Sequence, residues 1–123
     1  HIRSSEMVLI EAEANYFLDH PQAAQSALVE LNATTGRNSS YTCTKTGEAL
    51  FQEIVDYRTL ELWGEGFSWF DYKRWNKGFT RKGINEGGNA HAAIATNVTA
   101  TGHNNWTWEI PKAETDYNSG INN

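Results

Sequence analysis

Apolar residues recur at intervals of three to four positions in the first third of the chain, which is typical of amphipathic helices. In the first segment we expect Ser4 or Ser5 to cap a helix over about residues 4–19. The His20–Pro21 step ends it, because the residue before a proline avoids helical backbone angles. The apolar stripe of this helix comprises Met7, Ile10, Ala14 and Phe17.

A second helix is predicted over residues 21–32, since a proline suits the first turn of a helix. The link between the two helices is so short that they are expected to form an antiparallel hairpin, as in tetratricopeptide-like repeats. One such pair cannot bury its own apolar face, and no second copy is detectable, so we expect a portion of a longer protein to be missing. The stripe of the second helix comprises Ala24, Ala27, Leu28 and Leu31.

The middle of the chain predicts two further helices after a polar segment over residues 33–47. One covers about residues 48–63, and a shorter one covers about 67–76. Gly64 and Gly66 lie between them and favour a tight bend, because residues without a Cβ reach unusual backbone angles. The buried side of the longer helix is predicted to hold Phe51, Ile54, Val55 and Leu62, with Arg58 near by.

Helical periodicity is weak after Gly83. We predict short extended segments at Ile94–Thr99 and Trp106–Ile110, paired with each other in a hairpin. Pro111 excludes a central strand beyond Ile110. The fold class is therefore mainly α, with helix pairs followed by an irregular C-terminal segment, and residues 1–123 are treated as a single domain.

Composition and charge exclude several functional classes. With 123 residues, 39% hydrophobic content and a net charge of −5, the chain is a globular domain and a poor general binder of nucleic acid. No apolar run is long enough to span a membrane. The only cysteine, Cys43, cannot form an intrachain disulfide.

No cofactor or metal site is predicted. Phosphate-binding loops and dinucleotide-binding glycine patterns do not occur in the sequence. The histidines lack the paired spacing of zinc ligands; they are His1, His20, His91 and His103.

Glu61 and Glu65 are the one candidate pair of catalytic carboxylates. Four residues apart on a continuous helix, they would share a face, and two such groups can hydrolyse a glycosidic bond. Gly64 is expected to break the helix between them, and Arg58 lies three residues before Glu61. A structural salt bridge explains the pair equally well, so the glycoside hydrolase remains an alternative.

The run Lys73–Lys82 combines five positive charges with Trp75 and Phe79. Stacking together with phosphate neutralisation is how single-stranded nucleic acids are bound. However, the rest of the chain is acidic, and cations also favour the C-terminal end of a helix. Nucleic-acid binding is therefore the weaker interpretation.

Sugar stacking is a further possibility, because the flat faces of tryptophans can pack against pyranose rings. Most large aromatic residues are buried for structural reasons, and we expect this of three of the five tryptophans. Trp75 and Trp106 have the most polar neighbours and are the predicted candidates for exposure and ligand stacking.

Motifs along most of the chain resemble the C-terminal part of the SusD/RagB family of Bacteroidetes. Near the start the resemblance rests on Ile2-Arg3-Ser-Ser-Glu6 and Leu9-Ile10-Glu-Ala-Glu13-Ala14. The central patches match the family's Glu-Leu, Glu-Gly, Trp-Phe-Asp and Arg-Trp pattern. They are Glu61-Leu62, Glu65-Gly66, Trp69-Phe70-Asp71 and Lys73-Arg74-Trp75, and the closing patch begins at Ile110-Pro111.

The resemblance implies a non-enzymatic lipoprotein on the extracellular face of the outer membrane. Such a protein captures glycan or another nutrient for a SusC-like TonB-dependent transporter, and its lipid anchor lies in a missing N-terminal portion. The fold implied is an α-α superhelix of tetratricopeptide-like helix pairs. An alternative is a helical scaffold that docks the transporter.

The matched residues are expected to be architectural rather than ligand-binding. The resemblance implies a bend at Gly64–Gly66, anchoring by the aromatic pair Trp69 and Phe70, and polar contacts of the charged residues. The structural motif comprises Arg58, Glu61, Glu65, Gly66, Trp69, Phe70, Asp71 and Arg74.

Overall fold

The structure, a computed structural model, describes residues 3–100, 110–117 and 120. The mainly helical fold class is confirmed. The helices are α1 (Ser4–Phe17), α2 (Pro21–Thr35), α3 (Gly47–Glu61), α4 (Phe67–Arg74) and α5 (Lys112–Tyr117). The strands are β1 (Phe79–Arg81) and β2 (Thr96–Val98), and single 3-10 turns cover Ile84–Glu86 and Ala92–Ile94.

Two compact units divide the chain, one reaching to Ser68 and the other starting at Trp69. In the first unit, a connection of three residues joins α1 to α2, and Asp19 turns the chain there with a positive φ of 59°. The core of this unit combines three helices. Its fully buried members include Leu9, Ala12, Ala24, Leu28, Leu50 and Ile54.

The buried face of α1 is not the predicted one. Leu9 and Ala12 are completely buried, whereas Met7, Ile10 and Phe17 of the predicted stripe are 53%, 43% and 64% exposed. The helix carries two apolar stripes, and periodicity alone does not say which of them faces the core. The small side chain of Ala12 fits the helix interface, where α2 also contributes small residues, Ala24 and Ala27.

Helix α2 buries the predicted stripe and runs three residues further than predicted. It ends at Gly36, whose φ of 67° is the left-handed conformation that glycine adopts without strain. The three extra residues include Thr34 and Thr35, whose hydroxyls donate to carbonyls of the preceding turn.

Helix α3 buries the predicted apolar residues together with Arg58. It ends at Glu61, two residues before the predicted end, and the cap at Leu62 donates its backbone N–H to the carbonyl of Arg58. Gly64 and Gly66 follow with φ values of 79° and 84°, so the predicted bend is present. Helix α4 then covers only eight residues.

In the second unit, β1 and β2 form an antiparallel pair in which Thr80 faces Asn97. The predicted strand at Ile94–Thr99 therefore contains β2, but its partner is Phe79–Arg81, which the sequence interpretation had assigned to the basic-aromatic run. A Cβ on Gly78 would lie 2.3 Å from the carbonyl oxygen of Val98, so only glycine allows this close approach. The predicted partner strand falls largely on residues 106–109, outside the described residues.

Candidate functional site

Charged side chains of the first unit form an arginine–glutamate cluster, defined as Arg3, Glu6, Arg37, Arg58, Glu61 and Glu65. Glu61 lies at the end of α3, and its side chain is only 3% exposed. Nη1 of Arg37 lies 2.5 Å from Oε2 of Glu61. The guanidinium of Arg3 pairs with the carboxylate of Glu65 and also approaches the backbone carbonyl of Glu61 at 3.4 Å.

Arg58 is the buried cation of the cluster. Its side chain is 7% exposed, and its Nη2 lies 3.9 Å from Oε1 of Glu6 on α1. Its guanidinium carbon lies 5.8 Å from the centre of the Phe67 ring, within reach of a cation–π interaction. Arg58 thus connects α1, α3 and the residue that begins α4.

The two candidate carboxylates both lie in ion pairs. Glu61 and Glu65 are each matched by an arginine from a different segment of the chain, Arg37 and Arg3 respectively. The bend after α3 also removes the continuous helix on which the two carboxylates would share a face.

The residues of α4 divide into two groups. Asp71 is 5% exposed, and one of its carboxylate oxygens accepts a hydrogen bond of 2.9 Å from Nε of Arg74. Trp69 is half-buried, whereas Phe70 is 65% exposed. Trp69 is therefore the more covered member of the predicted aromatic anchor, whereas most of the Phe70 side chain is open to solvent.

The most exposed tryptophan of the described residues is one that the sequence interpretation did not select. Trp63, at the bend after α3, is 81% exposed, and Leu60 one turn earlier is 68% exposed. Trp63 also has polar neighbours in the sequence, Glu61 and Glu65, so neighbouring polarity did not separate it from Trp75. Only the helix end and the glycines that follow it could have indicated its exposure.

Trp75 is half-buried rather than exposed. The guanidinium carbon of Arg74 lies 4.6 Å from the centre of its ring, and Tyr72 meets it edge to face at 6.1 Å. A sugar could therefore reach only part of the ring. The other predicted candidate, Trp106, lies outside the described residues.

A second polar cluster surrounds Glu53 on α3. The hydroxyl of Tyr41 donates to its Oε1 at 2.8 Å, and Lys45 forms an ion pair with Oε2. Burial and then the hydrogen bond to Glu53 raise the pKa of Tyr41 above its ordinary value of 10.0. Burial of the Glu53 carboxyl opposes ionisation, but the bonds from Lys45 and Tyr41 outweigh it, so the pKa of Glu53 is lowered.

Metal binding and membrane spanning find no support in the part of the chain that the structure describes. No group of three or more histidines, cysteines or acidic residues there could hold a metal ion. None of the described helices has the length and apolar character needed to cross a membrane.

The first unit thus combines a helix hairpin, packed against α3, with charge pairs at the helix ends. The model of the SusD family, SusD_RagB, matches residues 1–123. The chain therefore belongs to the SusD family, whose members are non-enzymatic binding proteins, and membership implies binding of carbohydrate or another nutrient at the cell surface. No curated protein and no solved structure matched the chain.

Proposed function

We propose that this chain takes part in glycan capture on the extracellular face of the bacterial outer membrane. The captured glycan is passed, uncleaved, to a TonB-dependent transporter of the SusC kind, and the protein is held at the membrane by a lipid anchor. The observation that carries the proposal is the family match over residues 1–123.

Among the described residues, the side chain of Trp63 offers the best surface for stacking a sugar. Its indole is 81% exposed and lies directly after α3, which is fixed in the core through Ile54 and Val55. A helix anchored in the core is thus followed by a large flat ring that is open to solvent and has only two side-chain torsions to order on binding. Trp75 is a second and more covered candidate.

Stacking of a sugar on a tryptophan ring suits a protein that must later release the glycan to a transporter. Contacts with a single ring are weak and are broken quickly, and affinity differences arise mostly from the dissociation rate. We expect affinity in the micromolar range or weaker, which corresponds to at most about −8 kcal/mol.

A second candidate function, docking of a protein partner such as the transporter, is favoured by the outer face of α1. Met7, Ile10 and Phe17 form an apolar stripe there that the described residues leave exposed. Replacing Ile10 with Gln should weaken a complex with the transporter without affecting glycan retention, if this face is used.

Affinity electrophoresis tests the glycan proposal. The protein is run through native gels containing a panel of polysaccharides, beside Trp63→Ala. As a matched control, Tyr117→Ala removes an aromatic ring that is 93% exposed in the other unit. We expect at least one polysaccharide to retard the wild type and the control, and Trp63→Ala to migrate faster than both. Equal retardation of all three would remove Trp63 from the binding surface.

A further inference from the structure

A cleft in the second unit lies outside the residues considered above for glycan capture. It has a volume of about 520 Å³, within the range of roughly 300–1,000 Å³ that is usual for small-molecule sites. The loop between β1 and β2 forms it. Its lining consists of Gly83, Ile84, Asn85, Glu86, His91, Ala92 and Ala95.

Backbone hydrogen bonds hold this loop in shape. Ile84 donates to the carbonyl of Ala90 at 3.0 Å, and Gly88 donates to that of Gly83 at 2.9 Å. A Cβ on Gly88 would lie 2.1 Å from the carbonyl oxygen of Lys82, so the middle of the loop lies against its first residue where only glycine fits. The cleft is therefore built on a braced segment.

Two polar side chains of the lining, Glu86 and His91, each accept one hydrogen bond from the backbone. Oε2 of Glu86 accepts a hydrogen bond of 3.1 Å from the backbone N–H of Gly83. Nδ1 of His91 accepts one of 3.2 Å from the backbone N–H of Ala93. In the neutral ring the proton of His91 then lies on Nε2. Each side chain keeps a second polar atom for a ligand: an acceptor, Oε1, on Glu86, and a donor, Nε2–H, on His91.

The lining therefore offers an acceptor, a donor and the amide of Asn85, which can act as both, beside the alkyl groups of Ile84, Ala92 and Ala95. Hydroxyl groups both donate and accept, and a sugar ring combines several hydroxyls with apolar C–H groups. A carboxylate ligand would be repelled by Glu86. We propose that this cleft binds a neutral sugar residue, which would give the chain a sugar site separate from Trp63. The inference rests on the proposed glycan function.

The test is a titration of the ¹⁵N-labelled protein with methyl glycosides of glucose, galactose, mannose and xylose, followed by NMR of the backbone amides. We expect saturable shifts at Gly83, Glu86, His91 and Ala93 with at least one glycoside. Glu86→Ala should weaken binding at least tenfold, whereas Glu30→Ala, an exposed glutamate on α2, should leave it unchanged.

Ala92→Phe tests the cleft independently of the Glu86 bond, because it fills the space from its exposed edge and should also abolish the shifts. Absence of saturable shifts in residues 83–95 with all four glycosides would overturn the proposal. So would binding of glucosamine or methyl glucuronide alone, since either would assign the cleft to a charged ligand.

Failure of this site and failure of the proposed function give different results. If a polysaccharide gel retards the wild type and Ala92→Phe equally and no glycoside causes shifts, glycan capture is supported and the sugar site in the cleft is refuted. If glycosides shift amide signals of the loop but no polysaccharide retards the protein, the sugar site is supported and polysaccharide capture is refuted.

Discussion

At the scale of single residues, the polar side chains of the first unit mainly fasten segments together. Glu53 connects α3 to Tyr41 and Lys45 in the segment before it, and Arg37 reaches Glu61 from the end of α2. Glu61 is buried and Glu53 is partly buried, and a polar group shielded from water is costly to leave without its partner. Their substitution should therefore affect stability more than binding.

Glu53→Gln should lower the free energy of unfolding by about 1–2 kcal/mol at pH 7, because hydrogen bonds to the charged carboxylate are weakened. The folded state lowers the pKa of Glu53 from 4.5, so its contribution is present above that pH and is lost as the pH falls. Urea denaturation at pH 7 and pH 3 checks this: the difference in stability between the wild type and the variant should be smaller at pH 3 than at pH 7. A constant difference would contradict the assignment, and Glu30→Gln serves as control.

Asn32 is a buried polar residue of α2 with partners on both sides. Its amide donates to the carbonyl of Leu28 at 2.9 Å, and its oxygen accepts from the hydroxyl of Tyr57 at 3.2 Å. Asn32→Ala should cost about 1–3 kcal/mol because the Tyr57 hydroxyl loses its partner. Thermal denaturation of Asn32→Ala, Tyr57→Phe and the double variant measures the coupling, and strictly additive effects would show that the bond contributes nothing.

At the scale of elements, the positions of the first four helices follow from apolar spacing, proline and glycine, and their ends differ from the prediction by up to three residues. The orientation of α1 could not be predicted from the sequence. Met7 and Ile10 have the same spacing as Leu9 and Ala12, so periodicity does not say which pair faces the core. Packing against the alanines of α2 decides between them, and a single sequence does not display that contact. The strand Phe79–Arg81 was missed for a similar reason, because its pairing depends on residues 15 to 19 positions away in the chain.

The orientation of α1 can be tested by substitution. Leu9→Ala should destabilise the protein by about 2–5 kcal/mol, because it removes a side chain that is fully buried. Ile10→Ala, on the exposed stripe, should cost far less. Urea midpoints of the two variants compare them directly, and a larger loss for Ile10→Ala would restore the orientation that the sequence suggested.

The loop that forms the cleft depends on Gly88. Gly88→Ala should displace the backbone around Lys82, since the new Cβ would overlap its carbonyl group. NMR spectra should show large amide shifts across residues 82–90, whereas Asn89→Ala, at an exposed neighbour, should produce only local ones. Small shifts in Gly88→Ala would mean that the loop is not braced at this point.

At the scale of the whole molecule, family membership says more about function than any side chain does. Among the candidates from the sequence, Trp75 is half-buried, Trp106 lies outside the described residues, and Glu61 and Glu65 form ion pairs with arginines. The exposed ring of Trp63 and the cleft beside Glu86 were both missed. Exposure and a cavity arise from how elements end and meet, and composition does not reveal them.

The central claim is that the protein binds glycan reversibly and leaves it intact. Isothermal titration calorimetry of the protein with a panel of bacterial and plant polysaccharides tests it most directly. We predict saturable heat with at least one polysaccharide and a Kd in the micromolar range or weaker. Polysaccharide that has been incubated overnight with the protein should give the same binding curve as fresh polysaccharide. No saturable heat with any polysaccharide, or a continuous heat of hydrolysis, would contradict the account.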